Sequence, residues 1–570
     1  MSDIAALVSD HLDIWTAATE RKNGAGRGGG KRISLYGIER LRTLILDLAV
    51  LGRLVPQDEG DESATVLLKA TAAARLAAVQ SGKARKPKPT NELPNDLPEL
   101  PRGWCWTQLS ELAEISPSNA SDDNVEASFV PMALVTSSIA GEHDFEVRKW
   151  GEIKKGFTHF ADGDVALAKI TPCFENGKAA ILQDLRNGIG AGTTELHVAR
   201  PWLPELNRRF LLLTMKTGTY LRNGEAKMTG TAGQKRITRS YFEATPLPLP
   251  PLAEQGRIVA KVDELMALCD ALEGESAAAL AAHQTLVETL LARLVNSADA
   301  ADLAANWTRL EAHFDTLFTT EASVEALKQT VLELAVRGRL TRPEHEDGQV
   351  EQLLTDIAEH RKLKVKQGRR RAPDVPARAV NGAELPFVIP EHWQFARFQD
   401  VLINRDAERI PVSSGERVGR KGEYDYYGAS GVIDKIDRFL FEEPLLLIGE
   451  DGANLINRST PIAFVARGKY WVNNHAHVLE ACSETLLRYM EIFINAIDLK
   501  PYVTGTAQPK MNQAKMNSII VALAPADEMK RVVAKVDALM ILCDDLKARI
   551  TDAGQIQMRL ADAIVERAAA

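Results

Sequence analysis

The 570-residue chain has little of what carries chemistry. Its five cysteines (Cys105, Cys173, Cys269, Cys482 and Cys543) form no CxxC pair, and their odd number argues against a disulfide framework. No apolar run reaches the roughly 18 residues of a membrane span, and the N-terminal MSDIAALVSDHLDIW lacks the basic-then-apolar layout of a secretory signal. A reducing cytoplasm is the expected compartment. There is no GxxxxGK[ST] phosphate loop, so ATP hydrolysis by this chain is not expected. Also missing are a Gly-x-Ser-x-Gly elbow and the Asn/Asp-Pro-Pro-aromatic segment with which an amino-methyltransferase holds a flipped base. No convincing nuclease arrangement of an acidic residue followed by an acidic-x-Lys pair stands out; the run from Gly163 through Lys169 has the lysine without the second acid. GIGAGTT (188–194) lacks the strand-before, helix-after context of a dinucleotide site and reads as a turn. His475 and His477 could share a strand face, but two histidines without a third ligand make a weak metal site, and none is expected. Basic excess is absent too: 69 Lys and Arg against 77 Asp and Glu leave a net charge of −8, a poor fit to wholesale nucleic-acid binding.

What the chain does have is itself, twice. RIVAKVDELMALCDAL (257–272) returns as RVVAKVDALMILCDDL (531–546), with 12 of the 16 positions identical at an offset of 274. IERLRTLILDLAVLGRL from Ile38 matches VEALKQTVLELAVRGRL from Val324 at an offset of 286. Trp104 in LPRGWCW aligns with Trp393 in VIPEHWQF at 289, and GTAGQKRI from Gly230 aligns with GTAQPKM from Gly505. A repeat of this kind determines the architecture: A–X–B–A′–X′–B′, with X about 15 residues longer than X′.

The repeated parts read as helix. Ile258, Val262, Leu265, Cys269 and Leu272 step by 4, 3, 4 and 3, as do Val532, Val536, Leu539, Cys543 and Leu546. Such a seam buries one stripe against another helix, in the manner of a coiled coil. Ile38, Leu41, Ile45 and Leu48 form the stripe in A, and Val324, Leu327, Val331 and Leu334 the one in A′. LPLPP (247–251) cannot continue a helix and marks where B begins. A shared docking surface would explain the retention of polar Lys261, Asp263 and Asp270 with their copies Lys535, Asp537 and Asp544; simple duplication is the competing account. X and X′ instead carry short apolar runs bounded by Gly, Pro and Asn, the grammar of strands and turns. FVPMALV, GDVALAKI and TELHVAR do so in X, and PLLLIGE, PIAFVARG and KYWVNNHAHVLE in X′, with NRRFLLLTMKT and LRYMEIFINAI as one helix in each. The expected class is α+β: two α/β domains separated by long antiparallel helices in a pseudo-two-fold duplicated arrangement. The expected boundaries are 1–99, 100–245, 246–387, 388–519 and 520–570.

PLPLPPLAEQGRIVAKVDELMALCDALE resembles the central conserved region of type I restriction-modification specificity subunits. LILDLAVLGRLVPQDEGDESATVLLK (44–69) and its copy from Val331 are similar to the conserved segments that precede their recognition domains. FADGDVALAKITPCFENGK (160–178) and YDYYGASGVIDKIDRFLF (424–441) resemble sequences common within those domains. The resemblance covers nearly the whole chain after about residue 34. It implies a non-catalytic chain in which X and X′ each read one half of a split, asymmetric double-stranded DNA site. It further implies two modification subunits carrying S-adenosylmethionine and up to two motor-nuclease subunits using ATP and Mg²⁺, with no cofactor on this chain. APADEMKR (524–531) departs from PPLAEQGR (250–257), which puts equal strength of the two docking surfaces in doubt.

Base reading needs side chains able to pair with groove edges, and these gather in polar turns. In X they are Thr171, Asn176, Lys178, Thr193, Thr194, Gln234, Lys235 and Arg236; in X′ they are Tyr427, Ser430, Asn473, Asn474, His475, Gln508, Lys510 and Asn512. Neither domain is basic: 17 cations face 17 anions over 101–245, and 15 face 17 over 390–519. Phosphate contacts are therefore sought in the runs before each domain, KARKPK (83–88) and RKLKVKQGRRR (361–371), with Lys362, Lys364, Arg369, Arg370 and Arg371 as candidates. A solvated linker is the competing reading of both runs. Two function classes stay in play beside the specificity subunit: a single-chain restriction or modification enzyme of divergent sequence, and a scaffold that binds proteins and not DNA.

Overall fold

The computed structural model describes residues 4–22, 32–82, 92–231, 233–366, 380–505 and 508–569. It divides into two compact units, 1–279 with 553–570, and 280–552. Two 44-residue helices, Leu252–Val295 and Ala526–Ala569, each contribute to both units. Of the seam residues, Ile258, Val262, Leu265, Cys269, Val532, Val536 and Cys543 are buried, as the stepping by 4 and 3 requires, while Leu272, Leu539 and Leu546 are only half-buried. No helix among the described residues is long and apolar enough to cross a membrane.

In the first unit, A folds as two helices, Tyr36–Val50 and Ala64–Gln80. The first ends at Gly52, whose φ of +68° disfavours a side chain, and Arg53 N–H closes the turn on Leu48 O at 2.9 Å. A Cβ there would meet Pro101 Cγ at 2.6 Å and Trp104 at 2.9 Å. The second unit repeats the device after helix Glu321–Val336. Gly338 has a φ of +67°, Arg339 N–H bonds Leu334 O at 2.9 Å, and a Cβ would meet Pro390 at 2.6 Å and Trp393 at 3.2 Å. Both tryptophans then hang from the first turn of a long helix. Trp104 Nε1 donates to Glu254 Oε2 and Trp393 Nε1 to Glu528 Oε2, each at 2.9 Å and buried. Arg257–Asp61 and Arg531–Asp347 are a further matched pair.

X and X′ are each closed at the base by their first and last strands. Cys105–Gln108 pairs antiparallel with Pro246–Leu249, and Gln394–Arg397 with Ile520–Leu523, in the same register. LPLPP is thus an outer strand, where a missing N–H is tolerated. Above the base, four strands follow one order in both copies. They are Ala113–Ile115, Leu196–Pro201, Val165–Ala168 and Ala179–Ile181 in the first, and Ile403–Asn404, Ala476–Glu480, Leu445–Gly449 and Ala463–Ala466 in the second. The remaining sheet differs. It has four strands in the first domain, and three in the second: Gly431–Ile436, Tyr424–Gly428 and Tyr470–Val472.

Two local expectations are corrected. GIGAGTT is not a turn over its length: Ile189–Gly192 is a central strand, parallel to Glu126–Val130 and antiparallel to Thr158–Ala161. Its glycines are needed because a Cβ on Gly190 would lie 2.4 Å from the Phe160 ring and 2.5 Å from Ser128 O. His475 and His477 do not share a strand face, because KYWVNNHAHVLE holds two strands and His475 lies outside both. Tyr470–Val472 and Ala476–Glu480 lie in different sheets, and Asn473, Asn474 and His475 make the crossing between them.

Candidate nucleic-acid interface

In both domains three loop segments meet at the end of the shared four-stranded sheet, held by the same backbone bonds. In the first, Lys169 N–H donates to Glu195 O, Thr171 N–H to Lys235 O, and Ile237 N–H to Lys169 O, all at 2.9 Å. In the second, Glu450 N–H donates to His475 O and Gly452 N–H to Pro509 O at 2.9 Å, and Met511 N–H to Glu450 O at 2.8 Å. The frame is one frame; the side chains on it differ. Lys169 stands where Glu450 does, and Glu195 where His475 does.

This edge gathers most of the first domain's sequence candidates. Asn176, Thr194, Gln234 and Lys235 are exposed and make no side-chain hydrogen bond among the described residues. The others have work inside the fold. Thr171 Oγ1 donates to Glu175 at 3.2 Å, Thr193 Oγ1 accepts from Glu195 N–H at 3.2 Å, and Lys178 Nζ reaches Met132 O at 3.1 Å. Arg236 grips Glu195 with two bonds of 2.9 and 2.8 Å, and that hydrogen-bonded guanidinium holds the carboxyl below its usual pKa.

The second domain behaves likewise. Ser430, Asn474 and Gln508 are exposed at the loops. Asn473 is buried, and its Oδ1 accepts from His475 N–H at 2.7 Å, so this side chain shapes the turn. Asn512 caps helix Gln513–Asn517 by accepting from Lys515 N–H at 3.0 Å. Tyr427 stacks on Phe464 and packs edge-on to Tyr470, which leaves it half-buried. Lys510 pairs with Glu450 at 3.1 Å, and Glu450 also takes Arg409 at 2.9 Å. Burial alone would raise the Glu450 pKa, but these two cations hold it below the ordinary value. His475 Nδ1 meets Asp451 at 2.7 Å, whereas buried His477 faces Asp406. The two histidines thus sit on different carboxylates, and among the described residues no three His, Cys, Asp or Glu side chains form a metal group. A cleft lined by Ser413, Arg417, Asn473, Asn474 and His475 opens beside this edge.

Of the basic runs, 83–88 and Arg369, Arg370 and Arg371 lie outside the described residues. Lys362 is exposed on helix Val350–Lys366, while Lys364 is mostly covered and ion-paired with Glu480. The sequence reading missed Lys169, Glu195, Arg409, Glu450 and Asp451. The signal available was the His-Val pair at 197–198 and 477–478, whose offset of 280 aligns the loops flanking it.

The repeated polar residues on the long helices hold neighbouring parts of the chain. Asp263 pairs with Arg209 at 2.9 Å and Asp537 with Arg488 at 2.5 Å; Asp270 pairs with Arg42 at 2.5 Å and Asp544 with Lys328 at 2.8 Å. Lys261 pairs with Glu264 at 2.7 Å, and Lys535 is exposed. Duplication has therefore kept an internal tie from each long helix to its own A helix and to its own X or X′ domain.

Residues 101–282 and 390–553 match the family described as the type I restriction modification DNA specificity domain. The chain is 41% identical over 590 aligned residues to the EcoAI type I restriction enzyme specificity subunit of Escherichia coli. It is 42% identical over 597 to the EcoEI specificity subunit of the same organism, and each alignment covers 99% of both chains. Among solved structures, the HsdS subunit from Thermoanaerobacter tengcongensis aligns with 83% of this chain and 98% of its own, at 18% identity and a TM-score of 0.39. A chain from a structure describing assembly and conformational transition of the type I R-M system aligns at 17% identity and 0.48, covering 83% and 99%. A family match to both duplicated parts and relatives alike from end to end lead to one conclusion: the chain belongs to the type I restriction-modification specificity subunits.

Proposed function

We propose that the two recognition domains, 100–245 and 388–519, each read one half of a bipartite, asymmetric double-stranded DNA site through the three-loop edge. The observation that carries this is the matched frame bearing unmatched side chains. Equal backbones would present equal positions to two stretches of groove, while Lys169, Glu195 and Lys235 on one frame and Glu450, His475 and Pro509 on the other would select different bases. The chain performs no catalysis in this reading. Two modification subunits bring S-adenosylmethionine, up to two motor-nuclease subunits bring ATP and Mg²⁺, and the complex works in the cytoplasm without a membrane.

The segments 1–99, 246–387 and 520–570 serve as mounts. Beside their ties within the chain, Lys261, Asp263, Asp270 and their copies form a polar rim for the modification subunits around apolar side chains left uncovered on the same helices. Leu268 and its copy Leu542 are 42% and 64% exposed, and Ile541 beside the latter is 69% exposed. Methylation sequencing of host DNA with and without this chain tests the reading. A split motif that disappears with the chain supports it, as does purified chain that methylates nothing unaided. Methylation by the chain alone would favour the single-chain enzyme, and no change in the methylome would favour a protein scaffold.

A further inference from the structure

The two domains carry one histidine at the same place in two different electrical settings. His197 and His477 sit one residue into matched strands, and each turns Nε2 toward the carbonyl of the matched loop residue, Ile237 at 3.4 Å and Met511 at 2.9 Å. What lies on the other side differs. His197 stacks flat on Phe242, with centroids 5.1 Å apart, and among the described residues it forms no ion pair; the charged groups acting on it are Lys169, Arg239 and Glu243. His477 Nδ1 lies 2.6 Å from Asp406 Oδ2. The first domain has Pro117 at that position: Ser116 N–H bonds Val198 O as Arg405 N–H bonds Val478 O, so the residue after each is equivalent.

The geometry at His477 leaves one protonation state. A carboxylate and a peptide carbonyl both only accept, so a ring bonded to both must carry hydrogen on both nitrogens. The surrounding charges divide: the carboxylates Asp406 and Glu450 favour a charged ring, and the cations Arg409 and Lys510 paired with them oppose it. Glu450 Oε2 lies 3.9 Å from Nδ1, Arg409 lies 3.4 Å from Asp406 and 2.9 Å from Glu450, and Lys510 lies 3.1 Å from Glu450. Burial works against the charge, but the hydrogen bond and charge of Asp406, with Met511 O and Glu450, raise the His477 pKa above that of a free histidine. At His197 burial wins and lowers the pKa to about 4. The second ring is an imidazolium clamped between Asp406 and the loop that carries Gln508, Lys510 and Asn512; the first is neutral.

We propose that His477 is a positioning residue for base reading by the second domain, and that its protonation makes one half-site, and not the other, sensitive to pH. Deprotonation removes one N–H; Met511 O or Asp406 then loses its donor, and the 508–512 loop loses its fixed place. The inference rests on the reading that this edge contacts DNA.

The test uses the full chain assembled with its modification subunits, S-adenosylmethionine and a random-sequence duplex library, from about pH 6 to about pH 9. Methylated products are sequenced, and base preference is scored separately for the two halves of the motif. As pH rises, one half should lose discrimination by roughly tenfold, the scale of one good base contact, while the other half keeps it as an internal control. Asp406→Asn should move that loss to lower pH in the same half, and His477→Gln should show it throughout. The wild-type series needs no variant to fold, and melting curves at each pH separate local loosening from unfolding. Discrimination that stays constant in both halves, or declines equally in both, overturns the proposal. A library with no split motif at any pH overturns the underlying function instead.

Discussion

Arg236 and Lys510 occupy matched places at the three-loop edge, and neither is a free cation. Glu195 takes the first with two bonds and Glu450 takes the second, which explains why domains of net charge 0 and −2 need not bind DNA indiscriminately. Removing the carboxylate at an exposed pair frees the cation for phosphate. Glu195→Gln should therefore raise affinity for non-cognate duplex and steepen its salt dependence, by a slope of about one; unchanged salt dependence in a titration would contradict the pairing. The two histidines give opposite pH responses. The folded pKa of His197 lies below its unfolded value, so its contribution to stability is present above pH 6.5 and fades as pH falls from 6.5 toward about 4. His477 is raised, so its contribution is complete below the ordinary histidine value and is lost as pH climbs through the folded one. Urea melts of His197→Gln and His477→Gln against the parent should show the first difference shrinking toward acid and the second shrinking toward base.

At the scale of elements, the ties at the long helices divide into strong and weak. Trp104→Phe or Trp393→Phe leaves a buried Glu254 or Glu528 oxygen without its indole donor and should cost about 1–3 kcal/mol, read by denaturant midpoint. Arg42–Asp270 and Lys328–Asp544 lie near the surface, and double-mutant cycles on them should return about 0–1 kcal/mol. The helices and the repeat were legible because periodicity and internal identity are local properties of the sequence. Ile258, Val262 and Leu265 declare their buried face without a neighbour being known. The crossing at Asn473 to His475 was not legible, since two short strands in different sheets look like one longer strand until their partners are known. Ile189–Gly192 was hidden similarly: glycine signals a turn locally, and only the approach of Phe160 and Ser128 makes it a strand requirement. Lys261, Asp263 and Asp270 stood out as repeated, but whether they meet a partner or the chain's own arginines depends on Arg42 and Arg209 being folded against them.

For the whole molecule, the duplication separates what must stay equal from what must differ. The glycine turn, the Trp–Glu bond, the base strands and the loop frame are equal in both copies; the side chains on the frame are not. Lengthening helix Leu252–Val295 by one turn adds about 5.4 Å, so the methylated motif should gain one or two base pairs of spacer with both halves intact. The most direct measurement of the central claim is the methylome of a host whose chain carries Asn474→Ala with Gln508→Ala. The account predicts that one half of the split motif becomes degenerate while the other half and the spacer stay as they were. A motif altered in both halves, or in neither, would contradict it.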